Sequence, residues 1–399
     1  MGSAEKRTQT QITDVPIRSQ DLSWPFWPVV PLYPYGKRRT LRKEVVKDTI
    51  WTFEQLQGIL YVVVPIRMTV VKLASGGLLV YAPVAPTPEC LRLVNELEMN
   101  HGNIRYIILP TVSGIEHKVF VGPFARCFPQ AQVFVSPHQW SFPLNLPLSW
   151  LGFPLGRTQK LPLDSRQTPF GDEFDYEILG PINLGLGPFE EVAFYHKRSQ
   201  TLLVTDSIIS IPQNPPNIVQ IDPYPLLFHA RNNGLEVIED TPENRLKGWQ
   251  RIVLFALYFR PGALGVVKWG QVFKDALKAP DRSPKAYFGL FPFQWDDRWK
   301  SSFERLQHNH LLVAPILQGV IFNRGKFEVL SWVDHVSKWG FKRIISCHFT
   351  APIEGNSAQF REAFDFLRHD NQTLDIEDFQ LIRDIAQTLT KRGITPPVK

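Results

Sequence analysis

The chain has 399 residues, with 44 Lys and Arg against 38 Asp and Glu, 11 Trp, 10 Tyr, 28 Phe and three Cys. At 44% apolar and 21% charged it is neither disordered nor fibrous, and three distant Cys (Cys90, Cys127, Cys347) exclude a disulfide framework or a Cys-rich zinc module and point to a reducing compartment. Residues 1–47 hold nine Lys and Arg against four acids, so five of the six net positive charges lie there; the rest is too close to neutral to wrap a nucleic acid.

Taken in chain order, the first 20 residues are polar, which predicts no secretory signal. No apolar run approaches the ~20 residues of a membrane span, so the expected protein is soluble, cytoplasmic and at most peripheral at a membrane. Residues 1–47 are expected as an extended basic arm. Its segment Trp24–Tyr35 is too rich in proline for a helix. It either lies along its own protein with aromatics in surface grooves or docks on a membrane or partner. Ile59–Val64, Met68–Leu73 and Gly77–Tyr81 read as strands, with Ser75-Gly76-Gly77 as a tight turn. Thr87 then caps a helix with Pro88 at its first position, and Arg105–Pro110 is a buried strand.

Glu191–His196 and Thr201–Thr205 read as a hairpin. Residues 207–310 read as a mostly helical insertion, with helices around 242–259, 265–279 and 295–308. Strand pattern returns at Leu311–Phe322, a helix covers Ser331–Trp339, and Arg343–Cys347 is a last buried strand. Helices at about 357–368 and 375–391 follow. This gives a main body over 48–370 and a C-terminal helix within 371–399. Strands interleaved with helices predict an α/β fold.

Three strand ends carry chemistry: Glu116-His117 after Tyr106–Leu109, Asp206 after Leu202–Thr205, and His348 after Ile344–Cys347. Loops at strand C-termini converge side chains. Two imidazoles and two carboxylates suit one Zn, Fe or Mn ion, which lowers the pKa of water and polarises a carbonyl or phosphoryl oxygen. The same residue types also cap helices and bond within cores, so a structural account stands beside the metal account. His138 is a candidate outer partner, and His308 and His310 are expected in a solvated turn. Cys347 is expected in the core. Ser113 and Ser207 flank the candidate site without a nucleophile elbow, and Gly185-x-Gly187 lacks nucleotide-binding spacing, so no nucleotide cofactor is indicated. Trp140, Phe142, Trp150 and Phe153 either line an apolar entrance or pack internally.

The order of these elements resembles the metallo-β-lactamase fold, an αββα sandwich. There the first motif has two histidines, an aspartate and a third histidine; here Val112, Gly114, Glu116 and His117 stand in those places. A further histidine is missing near Leu184–Gly187, while Asp206 and His348 match the later positions. The resemblance implies that a three-histidine subsite is lost and a second subsite (Glu116, His117, Asp206, His348) is kept, with Glu116 in place of aspartate. Leu109–Phe120, Val135–Phe142 and Asp222–His229 are similar to a family of cyanobacterial and plant chloroplast proteins within this superfamily. This implies either single-metal hydrolysis of an ester, thioester or phosphoester, or a catalytically inactive binding or assembly factor at photosynthetic membranes. The partner expected is a small-molecule substrate or a protein, with no nucleic acid.

Overall fold

The computed structural model describes residues 17–112, 114–141, 144–185, 187–369 and 376–397. The first half of the chain builds a sheet from β1 (Leu41–Val46), β2 (Ile50–Ile59), β3 (Val62–Lys72), β4 (Leu78–Tyr81), β5 (Ile104–Leu109), β6 (Gln132–Val135) and β7 (Thr158–Lys160), in that spatial order. Between them lie α1 (Pro88–His101) and α2 (Val119–Cys127). β8 (Phe174–Asn183), β9 (Pro188–His196) and β10 (Thr201–Val204) begin a second sheet, completed after a long helical excursion. That excursion comprises α3 (Asn217–Gln220), α4 (Tyr224–Ala230), α5 (Pro242–Tyr258), a small hairpin of β11 (Leu264–Val266) and β12 (Phe293–Trp295), α6 (Trp269–Ala276) and α7 (Trp299–His308). The chain then runs through α8 (Lys326–Val336), β13 (Arg343–Ser346), β14 (Ile353–Glu354), α9 (Ser357–Glu362) and α10 (Ile376–Lys391); the second sheet has the order β14-β13-β10-β9-β8.

Why two sheets stack with helices on both outer faces is visible in single strands. In β4, Leu79 and Tyr81 enter the core between the sheets while Leu78 and Val80 enter the core beneath α1 and α2. In β10, Leu203 faces the inter-sheet core while Leu202 and Val204 join the core under the helical excursion. Side chains alternate across a strand, so strands apolar at every position must be covered on both faces. The result is the αββα sandwich expected from the sequence. The start of α1 also forms as expected: Thr87 accepts from the Cys90 amide at 3.2 Å with Pro88 at the first helical position.

Several expected elements differ. Ile59–Val64 is a hairpin rather than a strand, turning at Leu60 and Tyr61 with φ of 51° and 62°. Positive φ at both central residues matches the twist of the flanking strands. Tyr61 tolerates it because its ring is held among Tyr33, Tyr224, Phe228 and Tyr287, at 5.1–5.2 Å between centroids. Leu311–Phe322 is not a strand: an isolated bridge, Ile209 to Leu312, is followed by a π turn at Leu317–Ile321. An apolar run buried on all sides reads alike as strand or helix, and Pro315 has no amide to offer a ladder.

The arm is also folded against the body where it is described. Trp24 is buried edge-on to Phe120, with 5.3 Å between centroids. Tyr33 exchanges backbone hydrogen bonds with Gly58 of β2. Leu41–Val46, expected within the arm, is the edge strand β1. Some of the basic charge is spent internally, since Arg39 pairs with Glu89 at 3.2 Å and Arg42 with Glu96 at 2.9 Å. Phe26, Trp27 and Val29 stay exposed. No helix among the described residues is long and apolar enough to cross a membrane.

Candidate metal centre

β10 and β13 run parallel in a register that pairs Val204 with Ser346. Asp206 and His348 each follow two residues later, so the pairing alone brings them level. Glu116 and His117 arrive from the other sheet, in the π turn Gly114–Lys118 between β5 and α2. An isolated bridge from Thr111 to Glu191 of β9 fastens that connection to the second sheet.

Three of the four candidate ligands converge: ligand atoms of Glu116, Asp206 and His348 lie within 4.8 Å of one another. His348 Nε2 is 3.0 Å from Asp206 Oδ1 and 3.1 Å from Glu116 Oε2. Its Nδ1 lies 3.0 Å from the Pro65 carbonyl and must donate to it, so Nε2 is turned toward the carboxylates. His117 lies outside that 4.8 Å group but is built on the same plan. Its Nδ1 donates to the Pro83 carbonyl at 3.1 Å, while Nε2 is buried with no hydrogen-bond partner among the described residues.

The electrostatics follow from this packing. Burial disfavours charge on His348, but the Glu116 carboxylate and the hydrogen bonds to Asp206 and Glu116 outweigh it, holding the imidazole well above its ordinary pKa. Burial pushes the Glu116 carboxyl upward, yet His348 and His117 bring it below the ordinary carboxylate range. His117 is lowered chiefly by burial, against the pull of the Glu116 charge. A shared proton on His348 or a cation would each balance the two carboxylates. His117 Nε2 has no hydrogen-bond partner among the described residues, and a buried ring nitrogen left so is costly unless something electrophilic meets it.

Two buried side chains that the sequence did not single out hold these candidate ligands in place. Glu191, fully buried on β9, accepts from the amides of Thr205 (2.8 Å), Asp206 (3.0 Å) and Ser207 (2.8 Å) and from Ser207 Oγ (2.9 Å). Burial and then the Asp206 charge push its carboxyl up to about 7, against the lowering by those donors. Arg67 of β3 donates to the carbonyls of Ser346 and, at 2.6 Å, Phe349, and pairs with Glu54 at 2.7 Å, clamping the residues on both sides of His348. The available signal was a charged residue interrupting an apolar strand.

The other candidates fall elsewhere. His138 holds the buried Glu190 through its amide (3.0 Å) and Nδ1 (2.5 Å), not a residue of the cluster. His308 and His310 are exposed, with His310 Nε2 donating to the Glu354 carbonyl at 2.7 Å. Cys347 is buried in the inter-sheet core, and Ser207 is occupied by Glu191. Phe153 is core, Trp150 is exposed, and Ser113 and Phe142 lie outside the described residues.

A family model described as "Domain of unknown function (DUF4336)" matches residues 47–366. Among solved structures the chain is similar to the DIM-1 metallo-β-lactamase (9% identity, 82% of this chain and 97% of that one, TM-score 0.38). It is also similar to a metallo-β-lactamase from Pontibacter korlensis (8%, 83% and 100%, TM-score 0.37). A third is the Flv1 flavodiiron core from Synechocystis sp. PCC6803 (10%, 90% and 70%, TM-score 0.42). No curated protein sequence matches the chain.

Proposed function

The chain belongs to the DUF4336 family, and for this member we propose a metal-dependent hydrolase. Glu116, Asp206 and His348 hold a single divalent ion with His117 beside them. The observation that carries the reading is the pair of histidines tied through Nδ1 to backbone carbonyls, one with Nε2 3.0 and 3.1 Å from two carboxylates and the other with a buried, unpartnered Nε2. Anchoring the far nitrogen is how proteins fix the tautomer and orientation of a ligating imidazole.

A mixed nitrogen and oxygen donor set accepts Zn, Fe or Mn. Bound there, such an ion supplies Lewis-acid polarisation of an ester, thioester or phosphoester oxygen and lowers the pKa of water. The chain's own part is positional: Pro65 and Pro83 set the imidazole tautomers, Glu191 holds the Asp206 turn, and Arg67 holds the His348 turn.

The test is turnover of p-nitrophenyl acetate, an acyl thioester and bis-p-nitrophenyl phosphate by protein loaded with Zn, Fe(II) or Mn. The expectation is ion-dependent turnover of at least one substrate class, abolished in Asp206→Asn. Equal rates in wild type and variant overturn the reading. The exposed Phe26, Trp27 and Val29 favour a second reading, a non-catalytic factor docking through the arm on a photosynthetic membrane. It predicts that Phe26→Ser/Val29→Ser loses membrane co-sedimentation, and unchanged pelleting contradicts it.

A further inference from the structure

Beside the candidate metal centre lies a cavity of about 900 Å³, bounded by the arm, α2, Trp140, Ser141 and residues 150–152, with Leu184 and 187–189 completing the wall. Its size falls within the ~300–1,000 Å³ range of small-molecule sites. Most of its surface is aromatic or aliphatic, from residues such as Trp24, Phe120, Trp140 and Phe189. Among the described residues its wall carries three cations, Arg38, Lys118 and Arg126, and no carboxylate.

Two of those cations are deeply buried, Arg38 at 1% and Lys118 at 5% exposure. Neither has an ion pair among the described residues. Arg38 donates from Nη1 to the Leu56 carbonyl at 2.9 Å and from Nη2 to Gln57 Oε1 at 3.5 Å, and its guanidinium lies 5.3 Å from the Phe120 ring centroid. Its Nε is buried with no hydrogen-bond partner among the described residues. Lys118 Nζ donates to the Trp140 carbonyl at 2.5 Å, one bond for a group with three donors. Buried charge without a counter-ion is strongly unfavourable, so a fold that gathers two such cations on one apolar wall is arranged for an anion that arrives from outside. The wall is fitted closely: a Cβ at Gly122 of α2 would come within 2.5 Å of the Gly152 carbonyl oxygen, so only glycine lets that helix meet the 148–152 turn.

We propose that this cavity binds a single-chain amphipathic carboxylate, its headgroup between Arg38 and Lys118 and its hydrocarbon body along the aromatic wall toward the exposed Phe26 and Trp150. A planar carboxylate accepts in the geometry a guanidinium offers, and each methylene leaving water strengthens binding about fourfold. The cavity wall includes none of Glu116, Asp206 or His348, so the site stands independently of the metal reading.

The test is titration of the full-length protein with dodecanoate below its micellar concentration, read by Trp fluorescence and calorimetry, with dodecanol and anionic phospholipid vesicles as parallel arms. Expected are saturable 1:1 binding of dodecanoate and at least roughly tenfold weaker binding of dodecanol, as for loss of a charge-assisted contact. Lys118→Met should weaken dodecanoate about as much, with Lys118→Arg retaining binding and circular dichroism confirming that both variants are folded. No binding of dodecanoate, equal binding of dodecanol, or binding of vesicles alone overturns the proposal. So does a folded Lys118→Met that binds like wild type.

Discussion

Replacing Glu191 by Gln changes almost no volume and removes the ionisable carboxyl, so its effect isolates what that group does. One oxygen accepts from the Thr205 amide and Ser207 Oγ, the other from the Asp206 and Ser207 amides. An amide side chain keeps one acceptor oxygen and turns an NH₂ group toward the remaining donors. With that oxygen toward the Asp206 and Ser207 amides, the NH₂ donates to Ser207 Oγ and the Thr205 amide alone loses its partner, so at about 1–3 kcal/mol for an unsatisfied buried group the expected loss of stability is of that size. The backbone at Asp206 shifts with it, and disturbing a group that orients a metal ligand weakens affinity by about 10–100-fold. Urea unfolding measures the first effect and isothermal titration with Zn²⁺ the second. Glu190→Gln is the control, because Glu190 holds His138 rather than the 205–207 turn, and its Zn²⁺ affinity should stay at the wild-type value. Glu191→Gln with wild-type stability and wild-type Zn²⁺ affinity would refute the positioning role.

Arg67→Met should lower the unfolding free energy by roughly 3–5 kcal/mol, because it strands the Glu54 carboxylate and the carbonyls of Ser346 and Phe349; a urea melt within 1 kcal/mol of wild type, at about the precision of such measurements, would contradict this. Thr87→Ala removes the α1 cap and should cost about 1 kcal/mol in the same assay. His229 is fully buried, and burial depresses its pKa to about 3. The unfolded chain takes up that proton below about 6.5 while the folded chain does not. The stability present at neutral pH is therefore lost as the pH falls through that window, by about 2 kcal/mol between pH 7 and 5 from this residue. Urea unfolding at pH 7, 6 and 5 should show a shallower slope in His229→Gln than in wild type, and equal slopes would rule out this assignment.

How much of this was legible in the sequence depended on whether a side chain's task is local. The α1 cap, the Ser75-Gly76-Gly77 turn and the strands read at Gly77–Tyr81, Arg105–Pro110 and Arg343–Cys347 are decided within a few residues, and they form where the spacing places them. Asp206 and His348 were legible because strand ends gather side chains. Glu116 joins them from the other sheet, and the extra methylene that separates it from the expected aspartate does not prevent the convergence. Arg67 was not legible as a positioning residue, since its carbonyl partners lie 279 to 282 residues away along the chain and only the packed sandwich brings them together; Glu191 stands opposite Asp206 in the register of the expected β9–β10 hairpin, but nothing local to the hairpin marks its carboxylate as buried. Leu311–Phe322 failed for a different reason: a run apolar on every side carries no period, so the strand and helix readings are equivalent until the surroundings exist. The basic arm shows a third limit. Net charge reports how many cations there are and not that Arg38, Arg39 and Arg42 fold into the body.

Metal stoichiometry tests the central claim most directly. Purified protein is dialysed against Zn²⁺, Fe²⁺ or Mn²⁺ in turn, cleared of free ion and analysed by mass spectrometry, beside a His117→Ala/His348→Ala double variant that circular dichroism shows to be folded. The geometry of Glu116, Asp206 and His348, with His117 Nε2 buried and unpartnered, predicts one tightly held ion per chain for at least one of the three metals, lost in the double variant. Wild-type protein that retains no more of any metal than the double variant would contradict it.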